Sequence, residues 1–129
     1  MQPGVRADGA LVAAALLLAG CGGGEAPRGG EDALARYPGT REQIQAYYRS
    51  QGSGEPGFNC GRGTIERIEG SRLVSDLPVE VVLAVTYRFA ATPLGASGEG
   101  CVGTSTRYFT FDREADGRLT LAVMADQPP

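Results

Sequence analysis

Histidine, lysine and tryptophan are missing from this sequence, and the absence of histidine excludes the most chemistry. The chain has no histidine and no tryptophan, and all of its 12 basic residues are arginines. Without histidine there is no Ser–His–Asp or Cys–His nucleophile, no imidazole base and no histidine-ligated zinc site. The other candidate sites, given below, are weak, so we predict no catalytic residues, no metal site and no cofactor.

The chain is mildly acidic, which argues against a nucleic-acid partner. The formal net charge is −3, and the arginines are scattered along the chain. Nucleic-acid-binding domains carry a concentrated basic patch, so we expect no nucleic-acid partner. The chain is 42% hydrophobic and 21% charged, which is typical of a globular protein.

The N-terminus has the organisation of an export signal. Arg6 supplies a short positive region, and an uninterrupted apolar run follows from Ala10 to Ala19. A membrane-spanning helix needs about twenty apolar residues, so this run is too short to span a bilayer. It has the length of the hydrophobic segment of a secretory signal, which ends in small residues before Cys21.

The segment Leu18-Ala19-Gly20-Cys21 resembles the lipobox of bacterial lipoproteins. The resemblance implies cleavage before Cys21, a diacylglyceryl group on its thiol and a fatty acyl chain, such as palmitate, on the new amine. Asp8 departs from the pattern, because that region is usually basic or neutral. An ordinary secreted protein with an incidental cysteine at the cleavage site is the alternative.

The chain divides into a signal peptide (1–20), a glycine-rich tether (21–36) and one small domain (37–127). The tether has a reach on the order of 17 Å per ten residues. This layout predicts a membrane-attached envelope lipoprotein that faces the periplasm and has an envelope protein as its partner. By resemblance to lipoprotein sorting in enteric-type bacteria, Gly22 in place of aspartate indicates the outer membrane rather than the inner membrane.

One helix is predicted at about 41–51. Thr40 and Gln43 have the spacing of a capping box, in which each side chain bonds the backbone of the other. Ile44, Tyr47 and Tyr48 then recur at helical spacing and predict a stripe that faces the core. The two tyrosines could instead line a ligand groove.

After residue 57 the apolar residues alternate in twos, which predicts strands. Residues 79–89 show this most clearly, with odd-numbered residues forming an apolar face and even-numbered residues facing solvent. Asp116-Gly117 predicts the turn of a final hairpin. The predicted elements are Thr64–Glu69, a turn at Gly70-Ser71, Leu73–Leu77 as a possible continuation, Val79–Phe89, Cys101–Phe111 and Leu119–Val123.

This order predicts an α+β domain in which one N-terminal helix packs on an antiparallel sheet of about four strands. The element order resembles cystatin-like and NTF2-like folds. That resemblance rests on element order alone and implies no function.

Two cysteines remain after lipidation, and we expect Cys60 and Cys101 to form a disulfide, because exported domains enter an oxidising compartment. A redox or nucleophilic thiol is the alternative, although the chain has no Cys-x-x-Cys motif. Further weak candidates are paired carboxylates (Glu66, Glu69, Glu80), glycine loops (61–63 and 98–100) and an arginine anion site (Arg62, Arg88, Arg107).

The function these features favour is a non-catalytic binding or envelope-assembly domain on a lipid anchor. An inhibitor of a hydrolase would be a special case. The alternative is a small-ligand carrier or an enzyme that uses the concave face of the sheet. A pocket with convergent polar groups would favour the carrier or enzyme, whereas a filled core and an exposed apolar edge would favour the binding domain.

Overall fold

The structure is a computed structural model that describes residues 31–51, 55, 60–93 and 101–129. A short 3-10 turn precedes one helix and four strands. In chain order they are the turn Ala33–Arg36, α1 (Thr40–Gln51), β1 (Cys60–Asp76), β2 (Glu80–Pro93), β3 (Cys101–Arg113) and β4 (Leu119–Ala125). In these residues no helix has both the length and the apolar character needed to cross a bilayer.

The four strands form one antiparallel sheet in the order β1-β2-β3-β4. Helix α1 packs on one side of this sheet, which we call the front face, and the opposite side is the back face. The α+β prediction is thereby confirmed, although strand dominates the domain. The likeness to cystatin-like and NTF2-like folds remains one of element order.

The core lies between α1 and the front face. Ile44 and Tyr48 of the helix are fully buried against odd-numbered residues of β2, as the helical spacing and the alternation predict. Tyr47 is only partly buried, so the predicted helical stripe is narrower than expected. The fully buried front-face residues of β2 and β3 are Val81, Leu83, Val85, Tyr87, Phe89, Phe109 and Phe111.

The predicted capping box is wrong. The hydroxyl of Thr40 donates to the Tyr37 carbonyl at 2.6 Å, and the backbone N–H of Gln43 bonds the Gly39 carbonyl. The Gln43 side chain is engaged elsewhere, with the backbone of β4. The helix begins at Thr40 after Gly39, whose φ of +85° suits glycine.

The back face of β2 is not wholly solvated, contrary to the prediction. Val82 and Ala84 are fully buried in a second small cluster with Tyr108, and Val74 packs against it. These residues lie on central strands whose neighbours cover them. An alternation of apolar and polar residues with a period of two predicts which face of the sheet a residue occupies. It does not predict whether the second face is covered.

Strand β1 is one 17-residue strand rather than two shorter ones, and the predicted turn at Gly70-Ser71 is wrong. Gly70 pairs with Thr86 and Ser71 with Val85, beside one of four register irregularities in the β1–β2 ladder. Buried Ser71 accepts the N–H of Leu34 at 3.0 Å through its hydroxyl. Pairing with β2 and with the N-terminal segment overrides the local turn preference.

The turn between β1 and β2 lies at residues 77–79, where the Leu77 N–H bonds the Glu80 carbonyl. Val79 is therefore 70% exposed, and Leu77 is 48% exposed. The alternation predicts Val79 as the first buried residue of its strand, and this prediction is wrong. The alternation does begin there, but the strand starts one residue later.

The folded domain begins before residue 37, inside the segment assigned to the tether. Asp32 forms a parallel bridge with Ser71, and Ala33 and Leu34 are buried in the core. The remainder of the predicted tether, 21–30, lies outside the described residues. The glycine-rich composition that indicates a tether ends at Gly30, and residues 31–36 belong to the folded domain.

The final hairpin is present, with Gly117 at φ +88° in its turn. One extra residue in β4, between the partners of Thr110 and Phe111, interrupts its alternation. Leu119 and Leu121 pack on the core as predicted, but Met124 replaces Val123 there. Val123 is consequently 50% exposed.

Candidate functional site

A buried ion pair lies under the helix, between Glu55 and Arg107. In the described part of the chain these are the buried charged residues, at 2% and 4% exposure. Arg107 is on β3 at an inward position two residues before Phe109. Its Nη2 lies 3.9 Å from Glu55 Oε2. An arginine on the apolar face of a sheet requires a buried anion nearby, and Glu55 supplies it.

Two tyrosine hydroxyls also bind the Glu55 carboxylate. The hydroxyl of Tyr48 on α1 and that of Tyr87 on β2 both donate to Glu55 Oε1, the second at 3.0 Å. The two rings meet edge to face with centroids 5.3 Å apart. Burial raises the pKa of Tyr87 well above the ordinary tyrosine value. Tyr87 is therefore a neutral hydrogen-bond donor at physiological pH.

The cluster reaches the surface at the end of β4. Nε of Arg107 lies 2.9 Å from Oδ1 of Asp126, whose side chain is half exposed. Nη1 of Arg107 lies 3.6 Å from the Met124 sulfur. We call Tyr48, Glu55, Tyr87, Arg107 and Asp126 the buried polar cluster.

The cluster holds the Glu55 carboxylate in place. Its guanidinium and two hydroxyls converge on Glu55, and the Tyr48 and Tyr87 rings fill the space around them. A general base exchanges protons near neutral pH, and burial moves the pKa of the Tyr87 hydroxyl away from that range, so this hydroxyl acts as a hydrogen-bond donor. Among the described residues no metal-binding group of acidic or cysteine side chains occurs.

The predicted disulfide is present. Cys60 at the start of β1 is bonded to Cys101 at the start of β3, with Cα atoms 5.9 Å apart. Both half-cystines are buried. The bond crosses the end of β2, where Cys60 pairs with Pro93 and Cys101 with Ala91.

The predicted carboxylate group does not assemble. Glu66 pairs with Arg88 at 3.3 Å, and Glu69 pairs with Arg67 at 2.9 Å. Glu80 starts β2 and lies opposite Asp112. Since Glu80 is eight residues from Arg88 along one strand, roughly 26 Å separate it from the Glu66 pair.

The predicted arginine anion site does not assemble either. Arg88 points to the back face with Glu66, whereas Arg107 points to the front face with Glu55. Arg62 lines a surface hollow of about 390 Å³ together with Arg49 and Gly63. The three arginines lie on three different strands, and Arg88 and Arg107 lie on opposite faces of the sheet. Their spacing in the sequence does not show this.

The first glycine segment, 61–63, is part of β1 rather than a loop. A Cβ at Gly63 would lie 2.7 Å from the Ala90 carbonyl oxygen and 2.7 Å from the Ala91 Cβ. Glycine therefore allows the close approach of β1 and β2. The second glycine segment, 98–100, and Cys21 with the whole export signal lie outside the described residues.

Sequence reasoning missed Glu55 and Asp126 as ion-pair partners of Arg107, and it missed Tyr87 as a donor to Glu55. One signal was present, because Arg107 shares its face with Phe109 and Phe111. A charged residue on an apolar face predicts a buried partner. Nothing in the sequence identified Glu55, which stands between Gly54 and Pro56.

No protein-family model, no curated protein and no solved structure matches this chain in comparisons with known proteins.

Proposed function

We propose that this chain is an exported lipoprotein, anchored through Cys21 and carrying a non-catalytic binding domain that faces the periplasm. The lipobox segment supports the anchor, and Gly22 supports the outer membrane as its location. An anchor made of two or more acyl chains would hold the domain stably. Its partner would be an envelope protein that this domain binds or helps to assemble.

One observation carries the binding role: side chains of the domain itself fill the space between α1 and the front face of the sheet. A carrier or an enzyme would need a cavity between α1 and the sheet. That space holds Tyr48, Tyr87 and Phe109, each fully buried, and the convergent polar groups already hold the carboxylate of Glu55. The surface available to a partner is therefore the outside of the domain.

The outside presents apolar side chains at the tip of the β1–β2 hairpin. Leu77 and Val79 are exposed on either side of Pro78. The tip is held by bonds from Leu77 N–H to the Glu80 carbonyl and from Arg113 N–H to the Val79 carbonyl. Exposed apolar side chains on an ordered turn favour contact with another protein.

The alternative, a carrier of small carboxylates, draws its support from the buried polar cluster. Arg107, Tyr48 and Tyr87 present the donors that a ligand carboxylate would need, and Glu55 supplies the carboxylate here. A ligand that binds the folded state raises its stability by mass action. A clear rise of the thermal midpoint with added short-chain carboxylates would favour the carrier over the binding domain.

The anchor is tested by metabolic labelling with a fatty acid in a bacterial host, followed by membrane fractionation. Wild type should be labelled and should sediment with the outer membrane, and Cys21→Ala should lose the label. Cys60→Ala is the matched control and should keep the label, because the lipobox is intact. An unlabelled, soluble wild type would refute the anchor.

The binding role is tested by placing a photo-crosslinking residue at Val79. We expect crosslinking in the envelope to one protein species. The control position is Thr120, which is also exposed but lies on β4. Equal crosslinking patterns from the two positions would contradict a specific contact at the hairpin tip.

A further inference from the structure

In the part of the chain that the structure describes, the sheet has three stretches of strand edge, and they are protected to different degrees. Strands β1 and β4 are the outer strands. Strand β4 pairs only with Tyr108–Arg113 of β3. The stretch Val102–Thr106, which we call the open edge, therefore pairs with β2 on one side and with no described strand on the other.

The outer edge of β1 is protected in several ways. Its ladder with β2 has four register irregularities, and Asp32 bridges it at Ser71. Charged side chains such as Arg67 and Glu69 occur along it. Bulges, charges and covering segments are the devices by which sheet edges avoid pairing with other chains.

The outer edge of β4 is occupied by a side chain. Gln43 Nε2 donates to the Leu119 carbonyl, and the Leu121 N–H donates to Gln43 Oε1, both at 2.8 Å. The amide of Gln43 thus satisfies two outward backbone groups of the strand. The short length of β4, seven residues, limits the edge further.

Among the described residues, none of these protections occurs at the open edge. It reads Val-Gly-Thr-Ser-Thr, without a charge or a proline, and its register with β2 is uninterrupted. Val102 is 45% exposed, and Thr104 is exposed. A regular, uncharged and exposed edge is a template for another strand.

The hydrogen bonds of β4 determine which backbone N–H and C=O groups the open edge presents outward. Because Leu119 and Leu121 direct their groups outward to Gln43, Thr120 faces β3 and its partner Asp112 faces β4. The Arg113 N–H bonds Val79, which places the odd-numbered residues of β3 toward β2. The direction of the backbone N–H and C=O groups alternates from residue to residue along a strand. The even-numbered residues of the open edge therefore present these groups outward: Val102, Thr104 and Thr106.

We propose that the open edge pairs antiparallel with the same edge of a second copy of this chain, about a two-fold axis at Thr104. The segment is complementary to itself in that register. Thr104 meets its own copy and Val102 meets Thr106, so β-branched residues oppose one another without like charges. A closed two-fold contact of this kind uses the same patch on both copies.

The seam is short, so we expect the pairing to be weak in dilute solution. Five residues on each side bury far less area than a standard interface of about 1,600 Å². Confinement of both copies to one membrane would raise their effective concentration. In this respect the inference rests on the proposed lipid anchor.

The test is disulfide crosslinking of the full chain in the bacterial envelope after mild oxidation. Thr104→Cys should form a dimer on a non-reducing gel, because hydrogen-bonded partners have Cα atoms about 5.5 Å apart, within disulfide reach. Val123→Cys is the control: Val123 is also exposed on the back face but lies on β4, and this variant should stay monomeric.

The register is tested with two more variants. Val102→Cys alone should not crosslink, because its two copies would stand roughly 14 Å apart along the seam. Val102→Cys co-expressed with Thr106→Cys should give the mixed dimer. Adding Thr104→Lys to both chains should abolish that dimer, while Thr120→Lys should not.

Each readout bears on one proposal. Fatty-acid labelling of the same samples reports on the anchor, whatever the crosslinking result. Absence of the Thr104→Cys dimer, or an equal dimer from Val123→Cys, overturns the inference. A Thr104→Cys crosslink to a different protein in place of the dimer also overturns it, and it would assign the edge to a foreign strand.

Discussion

At the scale of single residues, Arg107 is the charge on which the buried polar cluster depends. It is 4% exposed and lies between Glu55 and Asp126. Removing one partner of a buried ion pair leaves the other charge uncompensated in a medium of low dielectric. The cluster therefore makes the domain sensitive to substitutions that a sequence reading would treat as surface changes.

We expect Arg107→Ala to lower the free energy of unfolding by about 3–5 kcal/mol. Denaturant unfolding monitored by circular dichroism measures this. Arg88→Ala is the control, because its pair with Glu66 is about half exposed and such pairs contribute at most about 1 kcal/mol. Equal losses in the two variants would show that the buried pair does not act as described.

Adding Glu55→Gln to Arg107→Ala should recover part of the loss, because the uncompensated carboxylate charge is removed. The amide oxygen of glutamine still accepts the hydroxyls of Tyr48 and Tyr87. Unfolding of the two single variants and the double variant completes a thermodynamic cycle. Strict additivity would contradict a direct coupling between positions 55 and 107.

The buried hydroxyl of Tyr87 makes the free energy of unfolding depend on pH in the alkaline range. Burial raises its pKa in the folded protein, so the folded state binds this proton more tightly than the unfolded state. The stabilisation is present below the unfolded pKa of about 10 and is lost as the pH rises above it.

We therefore expect the free energy of unfolding to fall with pH above about 10, and to fall less steeply in Tyr87→Phe. Urea unfolding across that range measures both slopes. A residual slope should persist, because a hydrogen bond to Asp76 also raises the pKa of Tyr37. Identical slopes in wild type and Tyr87→Phe would exclude the buried hydroxyl as the source.

At the scale of elements, Gln43 joins α1 to β4. Its amide bonds both Leu119 and Leu121 at 2.8 Å, in the way that a neighbouring strand would. The sequence suggested a capping role because Gln43 follows Thr40 by three residues. Helix position 43 faces the sheet edge, and a strand with two unpaired backbone groups is a stronger partner than the helix terminus.

Gln43→Ala should cost about 1–2 kcal/mol, because two hydrogen bonds to the backbone are lost. Amide hydrogen exchange locates the effect, and exchange at Leu121 should accelerate most. Gln45→Ala on the same helix is the matched control and should leave Leu121 unchanged. Unaltered exchange at Leu121 in Gln43→Ala would contradict the edge contact.

At the scale of the whole molecule, the disulfide closes a long loop. Cys60 and Cys101 are 41 positions apart, and the loop between them contains all of β2 and most of β1. Constraining a loop of this length in the unfolded chain stabilises the fold by roughly 4 kcal/mol in the chain-entropy account.

Reduction should therefore lower the thermal midpoint by more than about 15 °C in a domain of this size. Calorimetry with and without a thiol reductant measures the shift. The double variant Cys60→Ser with Cys101→Ser should melt near the reduced protein and should not respond to the reductant. A wild-type midpoint that is insensitive to reduction would contradict this role.

The order of elements, the faces of β2 and the pairing of Cys60 with Cys101 could all be predicted from the sequence. Helical spacing at Ile44 and Tyr48 and the two-residue period of 79–89 are local properties, so they need no knowledge of distant segments. The disulfide followed from the expected export and from the two cysteines that remain beside Cys21. Candidate sites based on Glu66, Glu69 and Glu80 failed, because spacing along a strand does not determine which strands become neighbours.

Tertiary structure alone decided where β1 ends, where the domain begins and which groups meet Arg107. Ser71 stays in a strand because its backbone N–H donates to the Glu31 carbonyl and its hydroxyl accepts the N–H of Leu34. Glu55 joins the core because Tyr48, Tyr87 and Arg107 converge from three separate elements. Such contacts are between residues far apart in the chain, and their free energy outweighs the local preferences that a sequence pattern reports.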